Sequence, residues 1–502
     1  MTGWVRRHPV AAFLPLQGLL CFWNLGLLSP WMDEAGTLQA MRLPFDGVLR
    51  FAAADVHPPG YYLLLWLWQR IPLGLDWAVQ ARALSVVFLL AATLAVDRLW
   101  ATRLPERARL CFLTLWTLSP CLLLYGRMCR SYSLQMLATI IAAACLLRFR
   151  ESPGRHSGAA LAAALSAALY IHYVPGLALL ATANLVLGSR GLSGKGLRDT
   201  LAVDAGVVFV YLPWIWKLGA SLHSWSGHTT TYAVTGSTWL EFPVKLAFWA
   251  MSFEMGEAVP DVAVIAGILV LPLLAILIWR GARRDLTLLL VALPLTVIGC
   301  IGVGRWVGYP FGPARMLFVF PFFVLLLARG VSARRLPYSA GTVAMAAMLA
   351  FSMTGIWCYF HKSDFRNKQY PMPMDGIAAL IQQNSTASGS GILVDATNSD
   401  PPALAYALGP ARPFLKTDVP GAEPELRRLL ADPQIRTIWF LRNTHDVSPQ
   451  RLDGRFEMEL RLAMPVTVHR YEPFTPLELR LMRGMGMANP PEYFHELLEF
   501  RR

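Results

Sequence analysis

The sequence of 502 residues has few charged side chains: 15% are Asp, Glu, Lys or Arg, while 55% are hydrophobic. A typical soluble domain carries about 25% charged residues. The deficit excludes an ordinary soluble globular protein and indicates a membrane protein, whose apolar segments face lipid.

Cysteine is scarce in the part of the chain where disulfides would be expected. The seven cysteines lie in apolar runs or at their ends, none lies in the polar C-terminal part, and no C-x-x-C pair occurs. We therefore predict neither a disulfide framework nor a cysteine metal site. The first apolar segment, 9–28, also lacks a small-x-small cleavage pattern, so we expect an uncleaved anchor.

Common ligand-binding motifs are missing as well. The sequence has no G-x-G-x-x-G, P-loop or H-E-x-x-H pattern. The net charge of +13 is compatible with nucleic-acid binding, but the basic residues come in short clusters between apolar runs, without an aromatic-interleaved groove. Such clusters are typical of cytoplasmic loops, and no nucleic-acid partner is predicted.

Apolar runs dominate the first 360 residues. A helix needs about 20 mostly apolar residues to cross a bilayer, and about eleven runs approach that length. They are 9–28, 78–100, 109–125, 131–148, 157–174, 175–189, 200–217, 260–279, 286–304, 315–329 and 338–358. The pair around 157–189 is predicted to meet in a tight turn at 174–176.

A shorter apolar stretch at 60–68 is better interpreted as an interfacial helix than as a span. If it does not cross, the basic clusters all fall on one side, as the positive-inside rule requires. These clusters are Arg6/Arg7, 103–109, 148–155, 190–198, 280–284 and 329–335. We therefore expect a cytoplasmic N-terminus and an extracytoplasmic C-terminal domain in an inner (plasma) membrane protein.

The predicted topology gives two regions. Residues 1–359 form a transmembrane module with a first external loop, 29–77, and an interfacial helix, 60–70. Residues 360–502 form a small extracytoplasmic α/β domain, in which 392–395, 437–441 and 466–471 are predicted strands and 423–431 a helix. Three more polar segments share the external face: 125–132, 218–259 and 305–314.

Two segments of the first external loop contain candidate catalytic groups. Asp33 and Glu34 follow the first apolar run, where an ionised side chain facing lipid would be costly. They fit equally the first turn of a short helix at 35–41, since carboxylates favour helix N-termini. Further along, Asp55-Val-His57-Pro-Pro-Gly60 holds a histidine beside an acid, directly before the interfacial helix.

The acidic pair and the D-x-H-P-P segment resemble those of the protein O-mannosyltransferase group and of the bacterial polyprenyl-phosphate-sugar transferases, including the lipid A aminoarabinose transferases. Three later segments are similar to motifs of these enzymes: Y-G-R-M-C-R-S-Y at 125–132, Y-I-H-Y at 170–173 and P-F-G-P-A-R-M at 310–316. The resemblance covers about 1–330. Gly60 and Met316 depart from the usual pattern.

The resemblance implies a GT-C fold and an inverting glycosyltransferase. Such an enzyme moves a sugar from a polyprenyl-phosphate donor to a glycolipid, an envelope polysaccharide or a protein. It needs a carboxylate for the acceptor and cations for the departing phosphate. By carry-over, Asp33 is the general base with Glu34 in support; Arg127, Arg130, Arg315 and His57 bind the donor phosphate; and Asp55, His172 and Tyr132 bind substrate.

Several alternatives stay open. Arg127 and Arg130 could simply extend to the interface from helix ends. Asp33, Glu34, Asp55, His57 and His172 are of types that hold divalent metals, although no standard spacing is present and no metal is assigned. A lipid-linked sugar transporter or flippase, or a non-catalytic sugar-binding or envelope assembly protein, would also be polytopic; membrane lipids are partners in every case.

Overall fold

The computed structural model describes residues 8–54, 57–189, 194–219, 238–306, 312–332, 338–394, 400–410, 412–417, 419, 421–443, 452–484 and 489–502. The chain divides into two compact units. The first comprises Met1–Leu25 and Ala40–His361, and the second comprises Gly26–Gln39 and Lys362–Arg502.

The first unit is helical. Its α-helices, with two 3₁₀ turns at Ala101–Arg103 and Pro313–Val319, are Val10–Phe22, Phe45–Ala54, Gly60–Trp68, Trp77–Leu99, Glu106–Thr117, Pro120–Gly126, Tyr132–Glu151, Arg155–Ile171, Tyr173–Gly188, Gly194–Gly219, Thr238–Met255, Asp261–Ala282, Leu286–Trp306, Phe320–Val331 and Tyr338–His361.

The predicted apolar runs all fall on helices of this unit. Within the described residues, seven helical segments are long and apolar enough to cross a membrane, or eight if Glu106–Thr117 and Pro120–Gly126, bent by 49°, form one broken span. The remaining three runs form helices of 13, 17 and 16 residues, shorter than the roughly 20 that a span needs. The polytopic helical class is confirmed.

Two details of the predicted bundle are wrong. The break between the helices around 157–189 falls at His172, whose extended backbone (φ −163°, ψ 136°) separates them, while Pro175 lies in the first turn of the next helix, where proline is tolerated. The predicted loop 218–259 contains an 18-residue helix, Thr238–Met255. Charged residues at 241, 245 and 254 interrupt its apolar sequence.

Small residues allow two of the long helices to touch. A Cβ atom on Gly281 would lie 2.0 Å from the carbonyl oxygen of Leu326, and one on Gly330 would lie 1.9 Å from that of Leu277. The two glycines thus remove side chains from both sides of one crossing. Without a hydrophobic driving force in lipid, such close backbone contact stabilises helix pairs by dispersion.

One buried ion pair joins two helices at the end where the basic loops meet. Arg109 donates from Nε and Nη2 to the two carboxylate oxygens of Asp97 at 2.8 and 2.7 Å, and the Asp97 side chain is fully buried. A cleft lined by Trp100, Arg103 and Asp285, among others, lies at the same end. The loops predicted to be cytoplasmic around residues 97–109 and 285 therefore lie close to one another at one end of the first unit.

The second unit is an α/β domain, and its described residues form a five-stranded sheet. Its strands are β1 (Ser390–Val394), β2 (Leu415–Lys416), β3 (Thr437–Asn443), β4 (Val466–Pro473) and β5 (Tyr493–Arg501), in the order β2-β1-β3-β5-β4. β1 is parallel to β2 and β3, and β5 is antiparallel to β3 and β4. The predicted strands and the helix Ala422–Ala431 are present; β2 and β5 were missed.

The core of this domain covers one face of the sheet. Phe440 and Leu498 from the central strands contact Leu426 and Leu460 from the helices Ala422–Ala431 and Leu452–Ala463. The other helices are Met32–Ala40, Met374–Asn384, Asp400–Leu408 and Pro476–Gly484. The N-terminal segment Gly26–Gln39 therefore belongs to a unit made mostly of the C-terminal residues.

Candidate active site

The helix predicted to be interfacial packs tightly against the helix Arg155–Ile171 of the first unit. Gly60–Trp68 has nine residues, as predicted for a segment that does not span. A Cβ atom on Gly60 would lie 2.5 Å from the carbonyl oxygen of Tyr170, so only glycine permits this approach. The first residue of the helix Gly60–Trp68 therefore contacts Tyr170, which precedes His172 by two residues in the chain.

His57, directly before this helix, contacts Arg130. The Nη2 atom of Arg130 lies 3.2 Å from Nε2 of His57. A guanidinium can only donate, so Nε2 accepts, and neutral His57 carries its proton on Nδ1. A second link supports the first: the hydroxyl groups of Tyr61 and Ser85 are 3.1 Å apart, and Ser85 donates to the carbonyl oxygen of Arg130 at 3.3 Å.

His172 completes a cluster of nitrogen-bearing side chains. It caps the helix Tyr173–Gly188 by accepting from the backbone N–H of Val174 at Nδ1, 3.2 Å away. Its ring lies 5.2 Å from that of His57, at 76°. Capping fixes the ring, and Nε2 carries the proton of the neutral form.

This cluster is buried but borders a small cavity. His57, Arg130 and His172 are 9%, 6% and 9% exposed. The cavity is lined by His57, Tyr61, Tyr62, Arg130 and Ser131, among others. A desolvated arginine with oriented imidazoles suits a phosphate, because charge-assisted hydrogen bonds are stronger in a low-dielectric site.

Arg127 lies in a different environment from Arg130. Its Nη2 atom donates to the backbone oxygen of Asn24 at the end of the first helix. Its guanidinium also lies 5.0 Å from the ring of Tyr359 and 5.4 Å from that of Phe360. These contacts tie the first helix to the last one of the unit, and they do not include His57.

A buried acid that sequence reasoning missed lies on the other side of the 125–132 turn. Tyr125 donates to Oε2 of Glu257 at 2.6 Å, and its ring packs edge-on against Tyr132 at 5.5 Å. Burial raises the pKa of the Glu257 carboxyl to about 7, although the hydrogen bond from Tyr125 opposes the shift. Its position in a segment predicted as external was the only available signal.

The other predicted residues are placed as follows. Arg315 is the third residue of the 3₁₀ turn Pro313–Val319, and its side chain is half-buried among otherwise buried residues. Asp55 lies outside the described residues.

Asp33 and Glu34 lie in the first turn of the helix Met32–Ala40, in the second unit. Glu34 is 1% exposed, and Asp33 is half-buried. Thr37 donates to the backbone oxygen of Asp33 at 2.7 Å. The helix-start position expected for this pair is confirmed; its catalytic role stays a prediction.

Within the described part of the chain, no group of three or more His, Cys, Asp or Glu side chains is arranged to hold a metal ion. Of the five residues noted above as types that hold divalent metals, Asp55 lies outside that part.

No protein-family model and no curated protein matches the chain. Solved structures do. ArnT from Cupriavidus metallidurans in the apo state has 13% identity and a TM-score of 0.57, over 99% of this chain and 98% of that one. The same protein bound to undecaprenyl phosphate has 13% identity and a TM-score of 0.51 over the same shares.

The archaeal oligosaccharyltransferase AglB from Archaeoglobus fulgidus, in complex with an inhibitory peptide and a dolichol-phosphate, has 10% identity and a TM-score of 0.51. The match covers 95% of this chain and 74% of that one. Similarity at these identities shows the fold. The chain has the GT-C fold of these membrane proteins, as its motifs predict.

Proposed function

We propose that the protein is an integral-membrane inverting glycosyltransferase, which moves a sugar from a polyprenyl-phosphate donor to an extracytoplasmic acceptor. The observation that carries the proposal is the His57–Arg130–His172 cluster, assembled from three distant segments within a GT-C fold. The ArnT and AglB structures hold undecaprenyl phosphate and dolichol-phosphate, which are both polyprenyl phosphates.

The cluster suits the departing phosphate. As the bond between the anomeric carbon and the phosphate oxygen breaks, negative charge grows on that oxygen, and a preorganised arginine stabilises it. His57 accepts from Arg130 and thereby fixes the plane of the guanidinium. His172, held by its capping hydrogen bond, is proposed to contact the sugar or the phosphate.

Asp33 is proposed as the general base. An acceptor hydroxyl attacks the anomeric carbon, Asp33 takes the hydroxyl proton, and the sugar–phosphate bond breaks with its electron pair leaving on polyprenyl phosphate. This single displacement inverts the anomeric centre. Glu34 supports the base, while Asp55 and Tyr132 are proposed substrate contacts.

The two other arginines predicted to bind the phosphate, Arg315 and Arg127, are proposed to have different roles. Arg315 retains its predicted role at the phosphate. Arg127 is proposed to act mainly by positioning, because its described contacts are with the backbone at Asn24 and the rings of Tyr359 and Phe360.

The test uses purified protein in lipid nanodiscs with undecaprenyl-phosphate sugars and an extract of envelope glycolipids, polysaccharides and proteins as acceptors. Wild type should release undecaprenyl phosphate and form a sugar-labelled product. Arg130→Gln should lower kcat by about 100- to 1,000-fold, the size of effect seen when one transition-state donor is lost. Arg427→Gln, which removes an exposed arginine of the second unit, is the matched control.

Two results would contradict the proposal. One is transfer from a nucleotide sugar without any polyprenol. The other is movement of labelled lipid across a bilayer without release of undecaprenyl phosphate, which would indicate a flippase.

A further inference from the structure

The segment Gly26–Gln39, here called the acidic strap, folds with the C-terminal domain. Its neighbours in sequence on both sides, Met1–Leu25 and Ala40–His361, belong to the other unit. The strap carries Asp33 and Glu34. The question is what holds these carboxylates in place.

The first anchor is a helix cap supplied from outside the helix. The helix Met374–Asn384 is preceded by Pro373, which forms no side-chain cap. The Ser29 hydroxyl takes that place: it donates to the Asp375 carboxylate at 2.6 Å and accepts from the Asp375 backbone N–H at 3.5 Å. A hydroxyl at a helix N-terminus satisfies a backbone donor that would otherwise lack a partner.

The second anchor is aromatic. The ring of Trp31 lies 5.2 Å from that of Tyr370 at 85°, an edge-to-face contact, and the two residues are 7% and 4% exposed. Trp31 directly precedes the helix Met32–Ala40, and its backbone oxygen accepts from Ala35. Holding this ring therefore holds the first helical turn, where both carboxylates lie.

The third anchor is at the other end of the strap, where the Gln39 amide donates to the backbone oxygen of Pro402 at 3.3 Å. The acidic pair is thus flanked by contacts to the C-terminal domain on both sides. A rigid carboxylate needs such support, since misplacement by about 1 Å can cost about 100-fold in rate.

We infer that Tyr370 and Asp375 of the C-terminal domain are positioning residues for Asp33 and Glu34. The inference rests on the proposed function, because it assigns a catalytic purpose to the strap. The three anchors exist independently of that purpose, and the tests separate the two.

The first test compares Tyr370→Ala, Tyr370→Phe and Phe474→Ala. Phe474→Ala removes a similar edge-to-face pair within the same unit, with Phe494 at 6.0 Å. Tyr370→Ala should lower kcat by about 100-fold and leave the Kd for undecaprenyl phosphate unchanged, and Tyr370→Phe should restore most of kcat. Hydrogen exchange at residues 26–39 should rise in Tyr370→Ala only. Equal effects of Tyr370→Ala and Phe474→Ala on kcat and exchange would overturn the inference.

The second test fixes the strap covalently with Ser29→Cys and Asp375→Cys. The native cysteines all lie in the first unit, so peptide mapping identifies the new disulfide without ambiguity. The cross-link should form, and turnover should be higher in the oxidised than in the reduced protein, because only the disulfide replaces the lost contact between Ser29 and Asp375. No cross-link, or turnover that is lost and returns only on reduction, would overturn the inference. If wild type showed no glycosyl transfer, the proposed function would fail, whereas exchange and cross-linking would still report on the anchors.

Discussion

Replacing Gly60 with alanine perturbs the geometry of the histidine–arginine cluster without removing any of its side chains. The new Cβ atom would lie 2.5 Å from the carbonyl oxygen of Tyr170, against about 3.4 Å for an ordinary contact. The backbones must therefore separate by about 0.9 Å. A shift of this size in the helix that follows His57 is large enough to lengthen the 3.2 Å hydrogen bond between His57 and Arg130 to roughly 4 Å, beyond the hydrogen-bonding range.

The consequences for stability and activity differ. Gly60 is the first residue of its helix, where the preference of helix interiors for alanine does not apply, and overpacking costs typically 1–3 kcal/mol, so the destabilisation should be about 1–3 kcal/mol. Activity should fall by about 10- to 100-fold, because the proposed phosphate contacts lose their geometry.

The assay combines glycosyl transfer in nanodiscs with thermal unfolding of the same samples. Gly18→Ala is the control, since its Cβ atom would meet only Leu90 Cδ1 at 3.8 Å, and it should keep wild-type kcat. Full activity in Gly60→Ala would refute the argument that this close approach sets the cluster. So would a loss of activity accompanied by global unfolding.

Three further outcomes follow from the described contacts. Asp97→Asn should destabilise the protein by about 3–5 kcal/mol, because it leaves a mostly buried Arg109 without its charged partner. The control, Asp46→Asn at an exposed ion pair, should cost less than about 1 kcal/mol. Chemical denaturation measures the free energy of unfolding of both variants. The pKa of Glu257 is raised to about 7 in the folded protein, against about 4.3 in the unfolded chain. The protonated carboxyl therefore stabilises the folded state below a pH of about 4.3. This stabilisation, roughly 3 kcal/mol, is lost as the pH rises to about 7. Glu257→Gln should flatten this dependence in pH-resolved thermal unfolding; an unchanged slope would contradict it. Arg127→Gln should lower thermal stability and leave the Kd for undecaprenyl phosphate within about threefold of wild type. Arg130→Gln should weaken this binding by tenfold or more. A larger loss of affinity in Arg127→Gln than in Arg130→Gln would instead favour Arg127 as the phosphate ligand.

The extent to which the sequence predicts this fold depends on the kind of signal. Long apolar runs predict helices reliably, because crossing lipid demands that backbone groups bond within the segment. The helix Thr238–Met255 was missed since Glu241, Lys245 and Glu254 interrupt its apolar run. The strand β5 was missed because its hydrophobic residues lie on both faces of the strand and do not alternate with polar ones in the sequence.

The candidate site shows a different limit. His57, Arg130 and His172 could be named from motifs, but their contacts depend on how helices cross, which no local pattern records. Arg127 and Arg130 are equivalent in the sequence, whereas one contacts the backbone at Asn24 and the other contacts His57. Membership of Asp33 in the C-terminal unit depends on contacts across more than 300 residues, such as Ser29 with Asp375.

The residues of the candidate site share one property, which is that they lie where helices break. His57 precedes two prolines at the start of a helix, Arg130 lies in the turn after Gly126, and His172 is the single extended residue between two helices. A break frees backbone groups that lipid cannot satisfy, so it must be covered by protein or face water. Polar side chains are tolerated at such places for the same reason. Breaks between helices can therefore gather polar and charged side chains within an otherwise apolar bundle.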